Sequence, residues 1–125
     1  MATFELRRLT VVHGSHAVIE GTVFDDSGAI VDLTATGVDA AICIARNPFR
    51  STPDLAFSVG ESTASGDSEG LLTVELSASD FDNGVLNPRL FGHWYSAWYH
   101  GNEEVWQYLT GGPLTVQPAV PAPSS

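Results

Sequence analysis

The sequence predicts an all-β fold, an antiparallel β-sandwich of about seven to nine short strands. Short apolar runs alternate with polar residues at a period of two, the spacing that gives a strand one buried face. Gly, Asn, Asp, Ser and Pro clusters interrupt these runs roughly every 8–12 residues, as turns between strands would. No stretch of about a dozen residues carries the 3.6-residue period of an amphipathic helix. An OB-like or jelly-roll barrel is the competing architecture. The chain has 125 residues, 43% of them hydrophobic, which suits one domain with one core and is not a disordered composition. Residues 1–118 read as that domain and 119–125 as a Pro-rich tail.

The elements follow in order. TFELRRLTVV has Phe4 and Leu6 on one parity, then Leu9 and Val11 on the other. The slip near Arg7-Arg8 predicts a bulge or a change of sheet. HAVIEGTVF places Ala17, Ile19 and Val23 on one face, and DDSG is a turn followed by AIVDL as a short edge strand. VDAAICIAR puts Val38, Ala40, Ile42 and Ile44 in one phase and Ala41, Cys43 and Ala45 in the other. Both faces lack charge after Asp39, the mark of a central strand.

NPFRSTPD is a loop and LAFSV a strand with Leu55, Phe57 and Val59 in phase. STASGDSEG reads as a small-residue turn, and LLTVELS turns Leu72, Val74 and Leu76 inward. SASDFDNG offers Ser77 or Ser79 as the cap of one helical turn at most. LFGHWYSAWYH and EEVWQYLT form the last long hairpin, Gly111-Gly112-Pro113 a bulge, and LTV the closing strand.

The stretch GHWYSAWYHG carries rings on both parities. A two-residue turn at Gly101-Asn102 sets a register in which Trp98 faces Val105, Ala97 faces Trp106 and Tyr95 faces Tyr108. That register assigns Trp94, Trp98 and Leu109 to the core, together with Ile19, Val23, Ile42, Ile44, Val74 and Leu76. It assigns His93, Tyr95, Tyr99, Trp106 and Tyr108 to an amphipathic outer face whose rings suit an interface. Cross-strand ring pairing within the sheet accounts for the same residues without a partner. Pro118, Pro121 and Pro123 of the tail complete the candidate interface.

Charge and motifs narrow the function. The net charge is -10, and every cation is an arginine: Arg7, Arg8, Arg46, Arg50 and Arg89. Such a surface repels phosphate backbones and anionic lipids, so neither nucleic acid nor a membrane is an expected partner. The lone cysteine, Cys43, excludes an internal disulfide and reads as a buried free thiol. The N-terminus MATFELRRLT has no apolar signal segment, which predicts synthesis in the cytoplasm without export.

His13 and His16 stand three apart, which on a strand points them to opposite faces and away from a shared metal. DFDNG has Gly at the wrong place for a calcium loop, and a turn accounts for it. No nucleophile elbow, phosphate loop or dinucleotide motif is present. No catalytic residue, metal or cofactor is therefore expected.

The order of motifs carries a resemblance. GTVFDDSGAIVDLTATGVDAAICIAR, then Gly92 and Trp94 on an aromatic strand, the Gly101-Asn102 turn and LTGGPLTVQP, resemble the immunoglobulin-like domains of tailed-phage virion proteins. The N-terminal domain of the baseplate upper protein family is among these. The resemblance runs from about residue 4 to 118; it departs where Trp94 and Ser96 replace the usual Tyr positions and where no fibre extension follows. It implies an immunoglobulin-like β-sandwich and a non-catalytic structural protein of a virus particle. That protein would decorate or cement the capsid or adapt the tail or baseplate. It further implies homo-oligomers and other virion proteins, such as major capsid or tail proteins, as partners, and the virion, assembled in the host cytoplasm, as location. The alternative is a host-adhesion module that stacks a surface glycan on exposed Tyr and Trp.

Overall fold

A computed structural model describes residues 2–47, 49, 52–90, 92–101 and 105–119. Among the described residues there are eight strands: β1 (Thr3–Val12), β2 (His16–Phe24), β3 (Asp39–Ala45), β4 (Leu55–Ser58), β5 (Ala64–Gly66), β6 (Leu71–Leu76), β7 (His93–His100) and β8 (Gln107–Leu114). Sheet A has the order β1-β2-β6-β5 and sheet B the order β4-β3-β7-β8, and every pairing within them is antiparallel. The constant-type immunoglobulin domain packs strands A, B, E and D against C, F and G. The same order appears here, with β4 added beside C. Past β8 the chain crosses to sheet A, where Gln117 bridges Val12 in parallel. The chain is an immunoglobulin-like β-sandwich; its strand pattern predicts the sandwich, and the resemblance implies the immunoglobulin-like order.

The core lies between the inner faces. Ala17, Ile19 and Val23 of β2, with Leu72, Val74 and Leu76 of β6, meet Ala40, Ile42 and Ile44 of β3. Ile19, Ile42, Ile44, Val23 and Val74 are among the most deeply buried side chains. The slip at the arginines is a bulge: Leu6 pairs with Gly21 and Arg8 with Glu20, leaving Arg7 unpaired. The Arg7 guanidinium donates to the Thr22 hydroxyl at 2.7 Å. The extra residue switches the inward parity from Phe4 to Val11, which is why both are buried.

Gly21, beneath β1, has no room for a side chain. A Cβ there would overlap the Phe4 ring and sit 2.7 Å from the Glu5 carbonyl oxygen. Gly21→Val is expected to lower the unfolding free energy by about 3 kcal/mol in urea denaturation, and Phe4→Ala in the same chain to relieve part of the overlap. Two independent, additive losses would show that the ring and the glycine do not share this space.

Several segments differ from the sequence-based expectation. AIVDL is no strand; only Ile30 bridges Phe24, while Val31 and Leu33 turn in to seal the core. Here the Asp25 carboxylate accepts from the Ser27 amide at 2.9 Å, the Ser27 hydroxyl at 2.7 Å and the Ala29 amide at 3.0 Å. This local network holds Asp25 below the usual carboxylate range, the Ser27 hydroxyl contributing most. The small-residue turn contains β5, which adds an edge to β6. Residues 77–90 form turns without a helix among the described residues. The bulge near Gly111 lies earlier: Ala97 pairs with Thr110 and Trp98 with Tyr108, so Leu109 is the extra residue, still buried.

The aromatic hairpin differs most. β7 ends at His100 and β8 begins at Gln107, and Asn102 of the expected turn lies outside the described residues. Trp98 faces Tyr108, not Val105, and Tyr95 faces Gly112, not Tyr108. The tail begins after Gln117; Pro118 and Ala119 are exposed, and Pro121 and Pro123 lie outside the described residues.

Candidate functional site

The pairing of β7 with β3 decides which rings face outward. Residues directly opposite share a face of the sheet. Ile42 pairs with Ala97, Ile44 with Tyr95 and Ala40 with Tyr99, so these positions of β7 face the core. Ala97 is fully buried, and Tyr95 and Tyr99 pack against the core at its margins. His93 is 3% exposed, and its Nε2 is 2.7 Å from the Val85 carbonyl oxygen. As a hydrogen bond this makes Nε2 the donor. The expected interface role of His93, Tyr95 and Tyr99 is thus corrected: they belong to the inner layer. The ring at the start of this strand ties back to the preceding connection, much as the tyrosine corner does in related sandwiches.

Trp94 and Trp98, expected in the core, stand on the outer face of sheet B. Trp94 pairs with Ala45, Ser96 with Cys43 and Trp98 with Ala41. On the β8 side they meet Pro113, Gly111 and Tyr108. Small side chains therefore form a floor from which the indoles rise. Gly111 is required there, because a Cβ would sit 2.7 Å from the Tyr108 hydroxyl and 2.8 Å from the Tyr95 carbonyl oxygen. Trp98 Nε1 donates to the Ser96 hydroxyl at 2.8 Å, which fixes the indole. Its ring meets Tyr108 edge-on, centroids 5.5 Å apart at 74°. Trp106 meets His100 in the same way at 4.3 Å.

The β3–β4 connection closes one side. The Arg46 amide donates to the Asp54 carboxylate at 2.8 Å, and the Arg46 guanidinium stands 3.5 Å from it. Asn47, Thr52 and Pro53 so become one wall of a cleft of about 370 Å³. Cys43 and Ala45 form its floor, and Trp94, Trp98 and Tyr108 the opposite side. This volume falls in the range of small-ligand sites. No lining residue among those described carries a formal charge. Tyr108 of the lining is 50% exposed, and outside the lining Trp106 is 42% and Phe49 92% exposed.

Cys43 is half-buried on the floor, and burial pushes its thiol above the usual range. Burial likewise raises the Tyr95 hydroxyl, with a smaller contribution from Tyr108. Only the thiolate attacks an alkylating agent. Labelling of Cys43 by iodoacetamide is therefore expected to be slower at neutral pH than that of the unfolded chain. Its rate should go on rising with pH past the ordinary thiol range, where that of the unfolded chain levels off. Equal rates in folded and urea-unfolded protein would contradict this placement.

His13 and His16 are not brought together: His13 stands edge-on to Phe81, and His16 lies within 3.2 Å of the Ser15 hydroxyl. Among the described residues no group of His, Cys, Asp or Glu is arranged to hold a metal ion. Both aspartates of DFDNG serve turns, Asp80 accepting from the Ser77 amide and hydroxyl and Asp82 from the Gly84 and Val85 amides.

No family model and no curated protein matches the chain. Solved structures are similar to the chain. MtrC from Shewanella baltica aligns with 99% of this chain and 24% of its own at 12% identity and a TM-score of 0.52. The N-terminal Ig1-2 module of the Drosophila receptor protein tyrosine phosphatase DLAR aligns with 99% of this chain and 52% of its own, at 12% identity and a TM-score of 0.47. The sensor domain of an anti-sigma factor from Pseudobacteroides cellulosolvens aligns with 100% and 90%, at 14% identity and a TM-score of 0.43. The chain spans about a quarter of the length of MtrC and about half of the DLAR module. At 12% identity the likeness to MtrC concerns the fold alone.

Proposed function

We propose that this chain is a non-catalytic structural module of a tailed-virus particle that assembles through protein contacts on the outer face of sheet B. The observation that carries the docking reading is the row of half-exposed rings, Trp94, Trp98, Tyr108 and Trp106, on the sheet face opposite the core. Rings with polar tips on a rigid sheet lose little entropy when covered and suit a protein interface. The viral placement rests on the motif order from GTVFDDSG to LTGGPLTV. The glycan alternative moves with the rings to the same face, and a saccharide arm in the experiment of the next subsection tests it.

The experiment uses particles produced from the genome that encodes the chain, purified by density gradient and analysed by quantitative mass spectrometry. The chain is expected at a fixed ratio to a major structural protein. A chain that stays in the soluble lysate and is absent from purified particles overturns the proposal.

A further inference from the structure

We propose that the aromatic cleft on the outer face of sheet B receives the Pro118–Pro121 segment of a second copy of this chain. The inference needs only the cleft and the tail sequence, and it stands apart from the viral placement.

The tail reads QPAVPAPSS, with prolines at 118, 121 and 123. Pro-rich chain favours the polyproline II helix, with three residues per turn. Pro118 and Pro121 then fall on one edge, roughly 9 Å apart. Such a segment has no internal hydrogen bonds. It is recognised by grooves lined with aromatic rings and a few donors to its bare carbonyls. The cleft has both parts. Trp94, Trp98 and Tyr108 supply the rings, and the side chains of Asn47 and Thr52 stand on the opposite wall with N–H and O–H groups. Trp98 is already fixed by Ser96, so little ordering remains to be done on binding.

Charge points the same way. Two copies that each carry a net charge of -10 repel one another over most of their surfaces. The cleft lining is uncharged, and no residue from Gln117 to Ser125 has a charged side chain. Contact between these two parts brings no like charges together.

Geometry assigns the tail to a neighbour's cleft. Pro113 is beside Trp94 at one end of the cleft. From there the chain runs away to sheet A, where the Gln117 amide donates to the Val11 carbonyl and the His13 amide to the Gln117 carbonyl, both at 2.8 Å. Four residues from Gln117 to Pro121 reach at most about 14 Å. To lie along its own cleft the segment would first have to retrace the four residues from Pro113 to Gln117, so we assign it to the cleft of a neighbour. Pro118 and Ala119 are exposed. One tail and one cleft per copy make a heterologous contact, which closes into a ring or grows into a chain.

The test is sedimentation velocity of the purified full chain over a range of concentrations. It is run beside a truncation at Gln117 and a Pro118→Ala/Pro121→Ala variant, both unaltered within the sandwich. Tryptophan emission of the truncated protein is titrated with the peptide QPAVPAPSS and separately with the neutral saccharides maltose and cellobiose. The full chain is expected to associate as concentration rises. The truncation should stay monomeric, and the proline variant should need roughly tenfold more protein to associate. The peptide should shift tryptophan emission, and Trp98→Ala should weaken that response at least about tenfold. A truncation that associates like the full chain, or a full chain monomeric throughout, overturns the proposal. Emission that answers a saccharide and not the peptide also overturns it and gives the cleft to a sugar. Incorporation into particles is read separately, so the two proposals fail independently.

Discussion

His93→Ala is expected to lower the unfolding free energy by about 3 kcal/mol, measured by urea denaturation with circular dichroism. The ring is buried at the start of β7, and its Nε2 is bonded to the Val85 carbonyl. Truncation removes packing inside the inner layer and leaves that carbonyl without this donor. The segment it ties carries Leu86, which is fully buried, so a loosened Val85 unseats a core side chain as well. His93→Gln keeps a donor of similar reach and should recover part of the loss. Trp98→Ala, removing a larger ring, is expected to cost less, below about 2 kcal/mol. Trp98 is half-exposed, and the change forfeits one edge-on contact with Tyr108 and partial burial. The reverse ranking would restore the layer assignment drawn from sequence and overturn the one described here.

Trp98→Ala is expected to remove the chain from purified particles while the variant stays folded. Interfaces concentrate their energy in a few central aromatic or arginine side chains, each worth about 2 kcal/mol or more. That corresponds to roughly thirtyfold in affinity. Trp98 stands between Trp94 and Tyr108 with its N–H already satisfied, so its ring is held in place before any partner arrives. The readout is the ratio of the chain to a major structural protein, beside a thermal melt showing that the sandwich persists. Full incorporation of a folded Trp98→Ala would move the docking site off this face. An expected control is Arg89→Ala, an exposed position in the connection before β7, which should leave incorporation unchanged.

Much of the sandwich was legible because it is written in local alternation. The inward phases of β2, β3 and β6 each follow from a run with apolar residues at every second position. The bulge in β1 follows from a phase slip visible at Arg7-Arg8. The aromatic strand offered no such signal. With rings on both parities, a two-residue turn at Gly101-Asn102 and the polar tips of the other rings assign Trp94 and Trp98 to the core. Pairing with β3 decided otherwise. The inner layer at the centre of β7 has space for Ala97 opposite Ile42, and the tyrosines fit only where their hydroxyls reach the margin. One clue was present in the sequence. Ala41, Cys43 and Ala45 form a small-residue face next to a large one, which asks for bulky cover on the outside.

The sequence by itself determined the class of fold, the number of strands within its predicted range, the central place of β3 and most of the core. Each of these depends on residues close in the chain, where the period of two and the turn chemistry operate. Only the tertiary structure decided which face of β7 is buried, where β8 begins, and that Trp94, Trp98 and Tyr108 share a cleft with Asn47 and Thr52. These are matters of register between strands some fifty residues apart, β3 and β7. A one-residue shift in register turns every side chain to the opposite face. Local alternation cannot select between the two when both faces carry rings; the partner strand can, because only one choice fills the space between the sheets.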